Sequence, residues 1–197
     1  MDYLKEYTGI FNGEKFLRHG NPVTIDTYRA FDGGGGRALH SLLAKEVETR
    51  VSVNLLDFGC GEAIQWYQRV LNGRTQSLTE IMKEKLRGTY RYDPCVAVYS
   101  TKPPVGCFDI IMCSDVMEHI PETDIPCLIR EIDSYGAEVC LVLYAIATTP
   151  SANCFIDGTN MHITQRPPTW WEAIITANSV HRNIVVCDKR PSEYSIS

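Results

Sequence analysis

Apolar and polar positions follow two periods along the chain, one typical of buried strands and one typical of amphipathic helices. Continuous apolar runs at residues 51–58, 108–113 and 139–144 predict strands buried on both faces. Apolar residues three and four apart predict helices over residues 37–49 and 123–135. Strands that alternate with helices form a mostly parallel sheet covered by helices. The pattern therefore predicts an α/β fold with helices on both faces of the sheet.

Weaker patterns extend this outline toward both ends of the chain. Tyr3, Tyr7 and Ile10 lie at helical spacing and predict a short helix that Asn12-Gly13 ends. Residues 15–22 are mostly polar and predict a loop. Gly136 is expected to end the 123–135 helix as a C′ glycine. The remaining predicted strands are 89–92, 183–188 and a short 194–196, and the remaining predicted helices are 63–71, 77–86 and 170–178.

Four consecutive glycines, Gly33 to Gly36, mark a boundary near the N-terminus. Such a run packs no side chains and loses much backbone entropy when it is ordered. We therefore divide the chain into an N-terminal helical and loop extension, residues 1–36, and a main domain, residues 37–197. The favoured interpretation of the run is a joint between the two. The alternative is a hinge that makes the extension a lid over a site.

Composition narrows the class of protein. The chain has 197 residues, of which 44% are hydrophobic and 22% charged, as in globular domains. Its net charge of -5 argues against a broad nucleic-acid-binding surface. A local basic edge is the exception considered, formed by Arg166, Arg182, Lys189 and Arg190. No apolar run approaches the roughly 20 residues that span a bilayer, so no membrane association is expected.

The eight cysteines are scattered and form no C-x-x-C pair. Several lie within apolar runs, as Cys113 does, and predict reduced, mostly buried thiols. Because the spacings lack the pairing of structural zinc sites, no metal site is expected. Thiols of this kind, together with a polar N-terminus that is not a signal peptide, predict a cytoplasmic protein.

Three motifs follow three of the predicted strands. The first strand leads into Asp57-Phe58-Gly59-Cys60-Gly61, whose glycines permit a sharp turn and close approach of a ligand to the backbone. The second ends in Tyr92-Asp93-Pro94, and the strand at 108–113 leads into Ser114-Asp115-Val116-Met117-Glu118-His119. Because the carboxyl ends of parallel strands meet at one edge of the sheet, these motifs are expected to line one crevice.

In this order, the three motifs resemble those of the class I S-adenosylmethionine-dependent methyltransferases, over roughly residues 40–190. The resemblance implies a doubly wound, Rossmann-like sheet of the seven-stranded type and S-adenosylmethionine as cofactor. Asp93 would accept hydrogen bonds from both ribose hydroxyls, since a diol matches the two oxygens of a carboxylate. The full set of cofactor residues that it implies is Asp57, Gly59, Cys60, Gly61, Asp93, Pro94, Ser114 and Asp115.

The chain departs from that family between Asp93 and Phe108, where the family has a helix and a third strand. The short segment leaves room for at most a stunted strand at residues 97–100. Position alone makes Ser100 and Lys102 the candidates for the group that would hold adenine.

The acceptor side is expected in two places. Asp115 and His119 follow the strand at 108–113 and are candidate catalytic residues. Because imidazole titrates near neutrality, His119 is a candidate base, with a structural role as an equal alternative. His162 is a second candidate base, with Asn160 and Arg166 as candidate substrate ligands; the alternative is that these polar groups bond the loop to itself.

The loop that holds the second group also carries a run of its own. Residues 157–171 resemble a segment of bacterial and phage-type methyltransferase-like proteins. Within it, Trp170 and Trp171 are expected to fill the core rather than the site.

Three functions remain open at this stage. The leading hypothesis is methyl transfer to oxygen or nitrogen of a small molecule. The second is a protein that binds S-adenosylmethionine and degrades, depletes or senses it without methyl transfer, which the compressed segment after Asp93 motivates. A nucleic-acid methyltransferase is less favoured because the net charge is negative. The sequence does not indicate an oligomeric state.

Overall fold

A five-stranded parallel sheet forms the centre of the computed structural model, which describes residues 2–27, 31, 39–66, 82 and 85–188. Its strands are β3 (Val53–Phe58), β4 (Leu86–Tyr92), β5 (Phe108–Ser114), β6 (Gly136–Ile146) and β8 (Arg182–Cys187). They lie in the order β4-β3-β5-β6-β8, and every neighbouring pair is parallel. The prediction of an α/β fold with a parallel sheet is confirmed.

Alternation along the strands divides the core into two halves. Leu55, Ile110 and Leu141 face one side of the sheet, where α2 (His40–Glu48) packs through Leu43 and Val47. The next residues along each strand, among them Leu56, Ile111 and Val142, face the other side, which α3 (Ile125–Tyr135) and α4 (Pro168–Asn178) cover. Burial on both faces is why these strands are continuously apolar. Helices on both faces were predicted and are observed.

A second, antiparallel sheet joins the N-terminal segment to the loop after β6. It consists of β1 (Phe16–Arg18), β2 (Asn21–Val23) and β7 (Asn153–Cys154), in the order β2-β1-β7. Helix α1 (Tyr3–Phe11) packs on it through a separate apolar cluster that includes Ile10, Phe16, Phe155 and Met161. The N-terminal segment is therefore attached to the main domain by strand pairing and by a small core of its own.

Two predicted features of the central sheet are wrong. The described residues give the parallel sheet five strands, not seven. Ala97–Tyr99 is a 3₁₀ turn, not a stunted third strand. The turn forms because Asp93 folds the chain back: its carboxylate accepts from Cys95 N–H, and its own N–H donates to the Tyr99 carbonyl over 3.1 Å.

Two local predictions also fail. Gly136 follows α3, but its φ of -67° is extended rather than left-handed, and it begins β6 directly. Glycine is needed there for space, since a Cβ would lie 2.6 Å from His181 Nε2 and 2.9 Å from Cys140 Cβ. Residues 15–22, expected to be a loop, contain β1 and the start of β2, because β7 supplies a partner strand from far along the chain.

Several predicted segments lie outside the described residues: the glycine run at 33–36, most of the helices at 63–71 and 77–86, and the strand at 194–196. In the part of the first helix that is described, Ile64–Trp66 forms a 3₁₀ turn. Within the described ranges, each helix falls short of the length and apolar character that a bilayer-spanning segment needs.

Candidate functional site

A cavity of about 690 Å³ opens at the carboxyl ends of β3, β4 and β5. The chain passes from β3 to β4 on one side and then crosses to β5 on the other side of β3, so the strand order reverses at this point. Ligands of open α/β sheets bind in the crevice that such a reversal creates. Tyr3, Leu4 and Tyr7 of α1 line the same cavity, as do Ser151 and Asn153 of the loop after β6.

The turn after β3 is fixed by the end of β4. The Tyr92 carbonyl accepts hydrogen bonds from Gly59 N–H at 2.7 Å and from Cys60 N–H at 3.1 Å. Gly59 has a φ of +73°, a left-handed conformation that favours glycine. A Cβ at Gly59 would also collide with the Val116 side chain. The glycine therefore serves both the turn and the close approach of the segment after β5.

Asp93 is buried at the end of β4, and its carboxylate holds two backbone groups. Oδ2 accepts from Gly61 N–H and Oδ1 from Cys95 N–H, both at 2.9 Å. Burial raises the pKa of Asp93 above its ordinary value, while these hydrogen bonds favour the charged form. A carboxylate oxygen can accept more than one hydrogen bond, so a carboxylate on the cavity wall retains capacity for a ligand.

The predicted cofactor residues divide into two groups. Those that line the cavity are Gly59, Gly61, Asp93, Pro94, Ser114 and Asp115. Asp57 and Cys60 are outside the described lining. The Asp57 carboxylate is buried and accepts from Trp66 Nε1–H at 2.7 Å, and Cys60 belongs to the core on the α2 side of the sheet.

The end of β5 presents two polar side chains to the cavity. Ser114 is 9% exposed, and its Oγ has no hydrogen-bond partner among the described residues. Asp115 follows with a φ of 52°, and its N–H donates to the Ala145 carbonyl at 2.9 Å. The left-handed backbone at Asp115 ends the strand and turns the chain along the cavity wall.

His119 lies at the junction of three segments. Its Nδ1 is 2.7 Å from the Tyr7 hydroxyl and 2.9 Å from the Met161 carbonyl oxygen. Because a carbonyl oxygen only accepts, the hydrogen bond to Met161 requires the neutral tautomer with the proton on Nδ1 and the lone pair on Nε2. Burial and the neighbouring His162 lower the pKa of His119 to about 3. Such a low pKa makes the ring a weak general base at neutral pH.

His162 and Glu118 adjoin that ring. The His119 and His162 ring centroids are 5.0 Å apart, and His162 Nδ1 lies 2.5 Å from the Thr149 carbonyl oxygen. Burial lowers the pKa of His162 as well. Glu118 is fully buried; its Oε1 accepts from Ala147 N–H at 2.9 Å, and its burial, with Asp115 nearby, raises its pKa well above the ordinary value.

Both proposed bases, His119 and His162, line the cavity, whereas Asn160 and Arg166 are outside its described lining. The Asn160 amide donates to the Ser151 carbonyl at 2.8 Å and accepts from His162 N–H at 2.9 Å, so it orders the loop. Trp171, expected in the core, is fully buried there.

Two arginines of the predicted basic edge, Arg166 and Arg182, form ion pairs with glutamates. Arg166 contacts Glu122 at 2.6 Å, and Arg182 forms a two-bond pair with Glu46 at 3.1 Å. Residues 189–190, the rest of the predicted basic edge, lie outside the described residues.

The two candidates for adenine differ in their surroundings. Lys102 lines the cavity and lies 3.1 Å from the Glu131 carboxylate. Ser100 is outside the described lining, and its hydroxyl donates to the Ala97 carbonyl at 3.0 Å. Of the two positions, only that of Lys102 borders the cavity within the described residues.

Sequence reasoning missed the contribution of α1. Tyr7 contacts a histidine 112 positions away, and Tyr3 and Phe31 complete the aromatic side of the cavity. The available signal was the spacing of Tyr3 and Tyr7 on an amphipathic helix, which predicts that these rings are buried but does not identify their partner.

Comparisons of the chain with protein-family models, with curated proteins and with solved structures gave no match.

The glycine turn gives a direct test of the site's construction. We expect Gly59→Ala to lower the free energy of unfolding by about 2–5 kcal/mol, from left-handed backbone strain of about 1–2 kcal/mol and overpacking of about 1–3 kcal/mol. Gly158→Ala is the matched control, since Gly158 also has positive φ but its Cβ would meet nothing within 4 Å. Urea unfolding of both variants measures the difference.

Adding Val116→Ala to Gly59→Ala should recover the steric part of the loss, because the Val116 side chain is what a Cβ would strike. Equal losses in Gly59→Ala and Gly158→Ala, with no recovery in the double variant, would contradict this account.

Proposed function

We propose that this chain is an S-adenosylmethionine-dependent methyltransferase that acts on oxygen or nitrogen of a small-molecule acceptor. One observation carries the proposal: a buried carboxylate, Asp93, lines the cavity at the end of β4, beside the glycine turn that ends β3. Two adjacent ribose hydroxyls match the two oxygens of such a carboxylate, and its charge strengthens both hydrogen bonds.

The charge of the cavity wall agrees with this cofactor. Asp93, Asp115 and Glu131 line it, and the cofactor carries a positive sulfonium. Lys102, which also lines it, is paired with Glu131. The volume of about 690 Å³ lies within the range of roughly 300–1,000 Å³ usual for small-molecule sites.

The glycine turn supplies the second element of the proposed site. Gly59 and Gly61 border the cavity without side chains, which allows the methionine part of the cofactor to lie against the backbone. Ser114, with its unpartnered hydroxyl among the described residues, would meet the cofactor from β5. The doubly wound, methyltransferase-type arrangement of the sheet is part of the same proposal.

Methyl transfer requires little covalent chemistry from the protein. The sulfonium already activates the methyl group, and the protein aligns the acceptor with the C–S bond. An acceptor that enters between Asp115 and His162 would approach from the side of the cavity that α1 covers.

Binding of the cofactor without methyl transfer is the alternative. The observation that favours this alternative is the tight turn at Ala97–Tyr99. It replaces the third strand near the place where adenine would bind. Methyl-labelled cofactor distinguishes the two, since transfer leaves the label on an acceptor and breakdown leaves it on cofactor fragments.

The role of Asp93 is tested by cofactor affinity. We expect Asp93→Ala to weaken S-adenosylmethionine binding at least about 100-fold, since the two hydrogen bonds to this charged group contribute roughly 1.5–3 kcal/mol each and about 1.4 kcal/mol is tenfold in Kd. Isothermal titration gives the Kd, and Asp26→Ala, at an exposed aspartate, is the control. Because Asp93 also holds Gly61 N–H and Cys95 N–H, circular dichroism must first show that the variant is folded. Unchanged affinity in a folded variant would contradict the proposed binding of the ribose by Asp93.

The affinity should also depend on pH. Burial raises the pKa of Asp93, so its carboxylate takes up a proton at a pH above the ordinary 3.8 and then loses its charge toward the ribose. The Kd should therefore rise as the pH falls from neutral through the raised pKa of Asp93, while the protein stays folded. In Asp93→Asn, which does not titrate, this rise should be absent. A parallel pH dependence in both proteins would assign it to another group.

A further inference from the structure

Three side chains that bind metals elsewhere in proteins converge beside the cavity. Glu118, His119 and His162 each bring one ligand atom to within 4.8 Å of the others. Two of them, His119 and His162, also line the cavity. The set combines two imidazoles with one carboxylate, a combination that suits divalent transition metals.

Both imidazoles are held in the orientation that metal ligands require. His119 Nδ1 faces the Met161 carbonyl, and His162 Nδ1 faces the Thr149 carbonyl. The Tyr7 hydroxyl can donate to the same Met161 carbonyl at 3.1 Å, so the tautomer that satisfies both carbonyl contacts has the proton on each Nδ1 and a lone pair on each Nε2. Metal-bound histidines commonly donate their other ring N–H to a carbonyl or carboxylate in this way, which fixes the tautomer and the ring.

The carboxylate gives an independent observation. Glu118 is 0% exposed, and its Oε2 has no hydrogen-bond partner among the described residues. Its Oε1 is satisfied by Ala147 N–H. A buried, unpartnered carboxylate oxygen is costly, and a cation beside it offsets that cost.

We propose that Glu118, His119 and His162 bind a divalent transition-metal ion such as Zn²⁺, Mn²⁺ or Co²⁺, through Glu118 Oε2 and the two Nε2 atoms. Metal–ligand bonds of about 2.0–2.2 Å require the three side chains to close by roughly an ångström. Mg²⁺ and Ca²⁺ fit less well, because they prefer oxygen ligands throughout. The cysteine spacing led to the expectation of no metal site, and these ligands come from other residue types.

The position of the site also suggests what the metal would hold. Three protein ligands would leave a coordination position for a further ligand, and because His119 and His162 line the cavity, an acceptor hydroxyl there could fill it. Under the proposed function, on which this role rests, that hydroxyl gives its proton to solvent and its oxygen forms the bond to the methyl carbon. The electron pair of the broken C–S bond stays on sulfur. The substrate class is then an acceptor with an oxygen that binds metals.

The proposal is tested with the full chain, free of any histidine tag and stripped by chelator. Titration with Co²⁺ alone should give visible d–d absorption at a stoichiometry of about one ion per chain. His162→Ala should weaken Co²⁺ binding at least 10-fold, since loss of a group that only orients a metal ligand already costs roughly 10–100-fold in affinity. His19→Asn, at an exposed histidine outside the cluster, should bind as the unaltered chain does.

Glu118→Gln is the second variant, because it keeps the shape and the acceptor for Ala147 N–H while removing the charge. It should also bind Co²⁺ at least 10-fold more weakly. No uptake by the unaltered chain would overturn the site, and so would Co²⁺ binding by His162→Ala and a folded Glu118→Gln as strong as that of the unaltered chain. S-adenosylmethionine titration of the same proteins keeps the two proposals separate: cofactor binding without Co²⁺ binding overturns the metal site alone.

Discussion

The hydrogen bonds between the end of β4 and the turn after β3 are the interaction on which the rest of the site depends. The Tyr92 carbonyl and the Asp93 carboxylate together hold three successive backbone positions, Gly59, Cys60 and Gly61. These hydrogen bonds fix the left-handed turn at Gly59. Because Gly59 has no Cβ, the turn leaves room for Val116 on the segment after β5. One wall of the cavity is therefore built by three neighbouring strand ends that constrain one another.

The opposite side of the site depends on contacts over long distances in sequence. Tyr7 of α1 meets His119 and the Met161 carbonyl, while Phe155 packs against the same tyrosine ring at a centroid distance of 5.2 Å. The antiparallel sheet ties this helix to the loop after β6. The N-terminal segment thus forms part of the site, which is more than the joint or lid that the glycine run suggested.

The features predicted well are those that a short stretch of sequence determines. Apolar runs located β3, β5 and β6 because a strand buried on both faces needs apolar residues at successive positions. The glycine turn and Asp93 were found because a positive φ angle and the end of a strand both depend on a short stretch of sequence. The side to which a residue points was harder: Asp57 alternates to the α2 face of the sheet and bonds Trp66 instead of lining the cavity.

The features that were missed require partners from elsewhere in the chain. Residues 15–22 become strands only because Asn153 and Cys154 pair with β1. Likewise, Glu118, His119 and His162 converge only once the loop after β6 has packed against the segment that follows β5. A search for paired cysteines does not find such a cluster, since its ligands come from two separate segments and neither segment has metal-site spacing alone.

A crystal structure of the protein with S-adenosylhomocysteine would test the central claim most directly. The account predicts the product in the cavity, with both ribose hydroxyls within hydrogen-bond distance of the Asp93 carboxylate and the methionine part against Gly59 and Gly61. It also predicts that the sulfur faces the side lined by Asp115 and His162. Product bound elsewhere, or a ribose without contact to Asp93, would contradict it.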